Sequence, residues 1–216
     1  MTEKGHEKPN NSDSVALRLA PQYAGTLGSL GDFCRPLLKE MMMQPPIKLV
    51  ILTGASASGK TTISERIAAK AAPIINCLYF DSIGIPSPEQ MIAEFGSGEN
   101  WQRAKTFDWM IRIQEEFLSK GKLVLFDGQM RISFIFEACA AAKITNYKTI
   151  LVDCDDASRE SRLRINRRQP ELAAATMMNW ARFLRNEADA RSIFKLDTTR
   201  SSIEECVSEL LDVFDL

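Results

Sequence analysis

Residues Gly54-Ala55-Ser56-Ala57-Ser58-Gly59-Lys60-Thr61 satisfy the spacing G-x-x-x-x-G-K-[ST] at every fixed position. An apolar, β-branched run from Ile47 to Gly54 precedes them, and a helical segment from Lys60 to Ala72 follows, closed by Pro73. That strand–loop–helix context separates a phosphate-binding loop from a chance match in a small-residue turn. Small side chains let the backbone N–H groups of Gly54, Ala55, Ser56, Ala57, Ser58 and Gly59 turn inward as an anion-binding nest. The next helix adds its positive N-terminal end through Lys60, Thr61 and Thr62. Lys60 reaches the β- and γ-phosphates, and the Thr61 hydroxyl serves Mg²⁺. The expected cofactors are therefore ATP and Mg²⁺.

The remaining chain repeats the same alternation. Strands are predicted over 47–54, 74–80, 122–128, 148–154 and 192–198. Helices are predicted over 60–72, 88–95, 100–119, 131–142, from Ala157 onward, over 174–189 and over 201–214. Five strands alternating with helices imply an α/β protein with a parallel sheet covered on both faces. The expected architecture is a three-layer α/β/α P-loop NTPase fold with a five-stranded parallel sheet and a short arginine-rich lid. The domain expectation is a P-loop kinase domain over 44–216. Residues 1–43 are read as an N-terminal extension, partly disordered or an artefact of start-site choice, because Met41-Met42-Met43 stand directly before the first strand.

In open parallel sheets, ligands lie beyond the carboxyl ends of the strands, so polar residues there are the next candidates. Asp81 follows the second strand and is placed to orient an acceptor hydroxyl and take its proton; the alternative is a helix or turn cap. Asp127 ends the third strand as a candidate Mg²⁺ partner with Thr61. Gly128 would let substrate approach the backbone, and Arg131 would grip substrate or the transferring phosphate. A turn aspartate with a surface arginine is the bland alternative for that pair. After the fourth strand come Arg159, Arg162, Arg164, Arg167 and Arg168 within ten residues. Arg159 and Arg162 share one helical face and, with Arg168, are read as closing over ATP to stabilise transition-state charge. An ordinary basic surface helix is the competing reading. Trp101, Phe107 and Trp109 are read as core, with Trp101 and Arg103 as secondary substrate-site candidates.

These residues resemble the adenylate-kinase-like group of P-loop phosphotransferases. The motif Asp127-Gly128-Gln129-Met130-Arg131 is similar to the Asp-Gly-x-x-Arg pattern of nucleoside monophosphate kinases, where the arginine binds a substrate phosphate. Asp81 and the segment Arg168-Gln169-Pro170-Glu171-Leu172 look more like the small-metabolite branch: shikimate kinase, gluconate kinase and chloramphenicol phosphotransferase. The resemblance covers Ile47 to Leu216. It departs from nucleoside monophosphate kinases in lacking an arginine after the first helix and a long lid. The implied activity is transfer of the γ-phosphate of Mg-ATP to a hydroxyl of a small molecule, and Arg131 allows that acceptor to be anionic as well. The alternatives are a nucleotide or polynucleotide 5′-hydroxyl kinase, and a P-loop ATPase or switch module that binds a protein partner.

Composition narrows the alternatives. With 27 basic and 28 acidic residues, the net charge of −1 supplies no field for a long nucleic acid. The single histidine, His6, lies in a polar tail, which removes histidine acid/base chemistry and histidine metal sites. Five cysteines without a CxxC pair read as reduced thiols. No apolar run approaches the roughly 18 residues of a membrane span. The expectation is a cytoplasmic protein, monomeric or homodimeric.

Overall fold

The structure, a computed structural model, describes residues 46–216. The extension over 1–43, its start-site reading, His6 and Cys34 lie outside the described residues.

Strand β1 (Leu49–Thr53) is buried along its whole length, as an uninterrupted apolar run requires. Its side chains alternate between two cores. Leu49 and Ile51 pack with Trp109, Met110, Ile113, Ile135 and Ala138. Val50 and Leu52 pack on the opposite face with Ile63, Ile67, Val207 and Leu210. Burying each such side chain contributes about 1.5–3 kcal/mol relative to exposure. Strand β1 is thus fixed from both sides, and so is whatever follows it.

Four further strands, β2 (Ile75–Tyr79), β3 (Leu123–Asp127), β4 (Tyr147–Asp153) and β5 (Phe194–Asp197), complete an all-parallel sheet of order β2-β3-β1-β4-β5. The five strands fall where the sequence places them; four are trimmed by two or three residues, and β4 is shifted one residue earlier. Helices α1 (Lys60–Ala71) and α7 (Ile203–Val213) cover one face. Helices α3 (Gly98–Glu116) and α4 (Ile132–Ala141) cover the other, joined there by α6 (Ala175–Ala190) through Leu184 and Ala188 against Leu151. Trp101 and Trp109 are core residues of α3: Trp101 meets Phe80 edge-on at 5.8 Å, and Trp109 lies 5.0 Å from Phe126. Helix α2 (Pro88–Phe95) begins with a Ser87–Gln90 capping box. The predicted Ser202 cap of α7 is likewise a capping box, closed by Glu205. This is the α/β fold of P-loop NTPases.

One departure matters for the site. Helix α5 (Asp156–Ser161) does not continue as an α-helix. It widens into a π-turn over Arg162–Asn166, in which the Arg167 N–H donates to the Arg162 carbonyl at 3.0 Å. A widened turn inserts one residue and rotates everything after it relative to α-helical register. Arg168 then takes a left-handed φ of 54°. Among the described residues no helix is long and apolar enough to cross a membrane.

Candidate active site

The central position of β1 puts the loop Gly54–Gly59 at the middle of the sheet's carboxyl edge, between β3 and β4. The loop is mechanically constrained. A Cβ on Gly54 would lie 2.2 Å from the Val152 carbonyl oxygen, so only glycine lets the loop pass β4 this closely. The loop's carbonyls are held from behind. Arg159 is fully buried; it donates to the Ser56 carbonyl at 2.6 Å and to Asp153 Oδ1 at 2.5 Å. Arg162 donates to the Ala57 carbonyl at 3.3 Å and to Thr198 Oγ1 at 2.8 Å. Thr198 Oγ1 in turn donates to the Ser58 carbonyl at 2.7 Å. The Ser56, Ala57 and Ser58 carbonyls are thus engaged, while within the loop the Ser58 N–H donates to the Ala55 carbonyl at 3.3 Å.

In front of the loop is a cleft of about 200 Å³ lined by Ser56, Lys60, Thr61, Asp81, Asp127, Gln129 and Arg167 among others. Lys60 is buried and donates to the Gly54 carbonyl at 2.8 Å. Burial lowers its pKa from 10.5 to about 8, with Arg167 and Arg159 acting in the same direction and Asp127 and Asp81 opposing. Asp127, 5% exposed at the end of β3, accepts from Ser64 Oγ at 3.3 Å. Its pKa is raised by burial against the opposing pull of Lys60. Asp81 is the second residue of the 3₁₀ turn Phe80–Ile83 after β2. It is exposed and lines the cleft.

Among the described residues no group of three or more His, Cys, Asp and Glu converges to hold a metal alone. The donors at hand are the Thr61 hydroxyl and the Asp127 carboxylate, which line the same cleft. Two hard oxygens beside a phosphate nest suit a Mg²⁺ ion that keeps most of its ligands as phosphate and water. The residues therefore fit the group.

The structure thus brings together Lys60, Thr61, Asp81 and Asp127 as the strand-end argument expects. The arginines differ. Arg159 and Arg162 were read as closing over ATP, but both are committed to the back of the loop. Arg168 is exposed with a left-handed φ, and it is Arg167 that lines the cleft. Arg131 lines a neighbouring cleft of about 270 Å³ that shares Gln129 with the first. Gly128 lines the first cleft, and a Cβ there would lie 2.6 Å from Phe80 Cβ, so glycine is also required by packing. Thr62 is exposed in the first turn of α1, and Arg103 pairs with Glu137 at 2.7 Å.

Three residues escaped the sequence reading. Asp153, at the end of β4, holds both Arg159 and Arg185, the latter at 2.5 Å through Nε. Arg185 also donates to the Cys154 carbonyl at 2.7 Å. Glu187 accepts from the Ile132 N–H at 2.9 Å and so caps α4 from α6. The available signal was the acidic residue ending an apolar strand, six positions before an arginine.

No protein-family model matches this sequence, and no curated protein matches it either. Solved structures do match in fold. A shikimate kinase from Acinetobacter baumannii, in complex with shikimate, superposes with a TM-score of 0.53 at 15% identity, over 77% of this chain and 92% of that one. A shikimate kinase from Aquifex aeolicus gives 0.53 at 19% identity, over 77% and 96%. A gluconokinase from Sinorhizobium meliloti gives 0.53 at 16%, over 79% and 94%. The chain therefore shares its fold with small-metabolite P-loop kinases along most of the described residues.

Proposed function

We propose that this chain is an ATP-dependent kinase that transfers the γ-phosphoryl group to a hydroxyl of a small molecule. The observation that carries the reading is the convergence of Lys60, Thr61, Asp81, Asp127 and Arg167 on one cleft in front of a phosphate nest. The loop N–H groups and Lys60 hold the phosphates. Bound with the nucleotide, Mg²⁺ supplies positive charge to phosphate oxygens, and Thr61 and Asp127 are its protein partners. Asp81 orients the acceptor hydroxyl and accepts its proton as the new oxygen–phosphorus bond forms and the bond to the β-phosphate oxygen breaks, releasing ADP. Arg167 offsets charge on the phosphoryl group in transit. Arg159 and Arg162 contribute by fixing the loop, so catalysis is chiefly positioning and electrostatics.

The acceptor-hydroxyl role of Asp81 distinguishes this reading from an ATPase or switch. A cytoplasmic location belongs to the same reading, supported by the free thiols Cys77, Cys139, Cys154 and Cys206. The test is ATP consumption by the purified protein with Mg²⁺, with and without a pool of hydroxyl-bearing metabolites, antibiotics, nucleosides and 5′-hydroxyl oligonucleotides. Consumption that depends on one fraction and collapses in Asp81→Asn supports the kinase. Hydrolysis indifferent to both would refute it in favour of a switch module.

A further inference from the structure

Arg131 was read from the sequence as a residue that grips an anionic acceptor. The structure gives it other partners. Its Nη2 pairs with Glu99 Oε2 at 2.7 Å. Its guanidinium carbon sits 4.9 Å from the Phe183 ring, 5.5 Å from Phe134 and 5.9 Å from Trp180. The cation is thus neutralised by a carboxylate and held against three aromatic faces. Its backbone N–H is also engaged, donating to Gln102 Oε1 at 3.2 Å, while Gln102 Nε2 donates to the Gln129 carbonyl at 2.9 Å. Arg131 and Gln102 therefore build the wall of the second cleft.

That cleft shares Gln129 with the phosphate cleft, so the two are contiguous at that residue. It offers three things. Among the described residues Glu99 is engaged only through Oε2, which leaves its Oε1 to accept a hydrogen bond. Gln129 has a side-chain amide whose only bond among the described residues is a long one from Ser56 Oγ, at 3.4 Å, to its oxygen. Trp180 is stacked on Phe183 at 5.4 Å and also lines the cleft. An incoming carboxylate would meet Glu99 beside Arg131, the only cation among the described residues that line this cleft, whereas hydroxyl groups match both the free acceptor and the free amide donors.

We propose that the phosphate acceptor is an uncharged polyhydroxylated compound of the sugar or polyol class. Its hydroxyls hydrogen-bond to Glu99 and Gln129, and its C–H face packs on Trp180. This rests on the kinase reading above and specifies its substrate class. Asp81, across Gln129, then receives the one hydroxyl that reaches the phosphate cleft.

The experiment uses the full-length chain with MgATP and follows ADP release for three matched sets: neutral sugars and polyols, the same skeletons bearing a carboxylate, and the same skeletons bearing an amine. MgATP binding is measured in parallel on wild type, Glu99→Gln and Trp180→Ala. The expected result is kcat/KM at least about tenfold higher for neutral members than for their carboxylate counterparts. Glu99→Gln, an exposed position that does not threaten folding, should narrow that gap about tenfold by releasing Arg131. Trp180→Ala should raise KM for the neutral acceptor without changing MgATP binding. Equal or better turnover of the carboxylate or amine set overturns the neutral-acceptor inference and leaves the kinase standing. MgATP binding without turnover of any set overturns the kinase reading and this inference with it.

Discussion

Lys60 lies in the nest with its nitrogen on the Gly54 carbonyl and its pKa brought down by burial to about 8. A bound triphosphate supplies the negative charge that the free site lacks, which returns the ammonium to its ordinary range. Binding above pH 8 therefore requires a proton as well as the nucleotide. A fall from 10.5 to about 8 corresponds to about 3 kcal/mol between the two protonation states. Between pH 7 and pH 9 the free site goes from about 90% to about 10% protonated, so MgATP affinity should fall about tenfold, with about 0.9 proton taken up at pH 9. The stability of the free protein should move the opposite way. The unfolded lysine binds more protons than the folded one between about 8 and 10.5, so stability rises with pH through that window. Calorimetric MgATP titrations at pH 9 in buffers of different ionisation enthalpy read the proton uptake directly. Lys60→Met, which retains the aliphatic stem, should bind more weakly and take up none. A binding enthalpy independent of the buffer at pH 9 in the wild type would refute the assignment of a neutral, buried lysine to the free loop.

Asp81→Asn should lower kcat by about 10²–10⁴ while MgATP binding stays within about twofold, as seen by acceptor-dependent ADP release beside nucleotide titration. Gly54→Ala places a methyl against the Val152 carbonyl at 2.2 Å; it should lose nucleotide binding and unfold at lower urea. Asp153→Asn removes the charge that balances fully buried Arg159, so urea unfolding should show a loss of about 3–5 kcal/mol, far beyond that of a surface carboxylate. Arg167→Ala should reduce kcat about 10- to 100-fold, whereas Arg168→Ala should stay within about threefold; the reverse order in steady-state kinetics would restore the sequence's choice.

The fold and the front of the site were legible for a shared physical reason. A strand covered on both faces must be an apolar run, so Leu49 to Thr53 announces itself, and the polar residue that ends such a run can only be at the sheet's edge. Asp81 and Asp127 were found this way, and so was the Gly54–Thr61 loop, where each small residue answers a local steric demand. The arginines were not legible in the same way. Spacing puts Arg159 and Arg162 on one face of a helix, but it does not say which side of the loop that face meets. The deciding partners, Ser56, Thr198 and Asp153, are close in space and mostly distant in sequence. Arg167 and Arg168 were exchanged because a π-turn has no strong local signature, and one inserted residue redirects every side chain beyond it. Arg131 looked like an anion grip because neither Glu99, 32 residues earlier, nor Phe183, on another helix, is visible from the motif. Of the arginines the sequence offered, Arg159, Arg162 and Arg131 are engaged within the protein. The charges left facing the phosphate cleft are Lys60, Asp81, Asp127 and Arg167. A framework that neutralises its own cations around a small set of cleft charges can change acceptor without disturbing the phosphate loop. That is why a phosphate loop is recognisable from one motif, while the proposed acceptor class rests on side-chain partners.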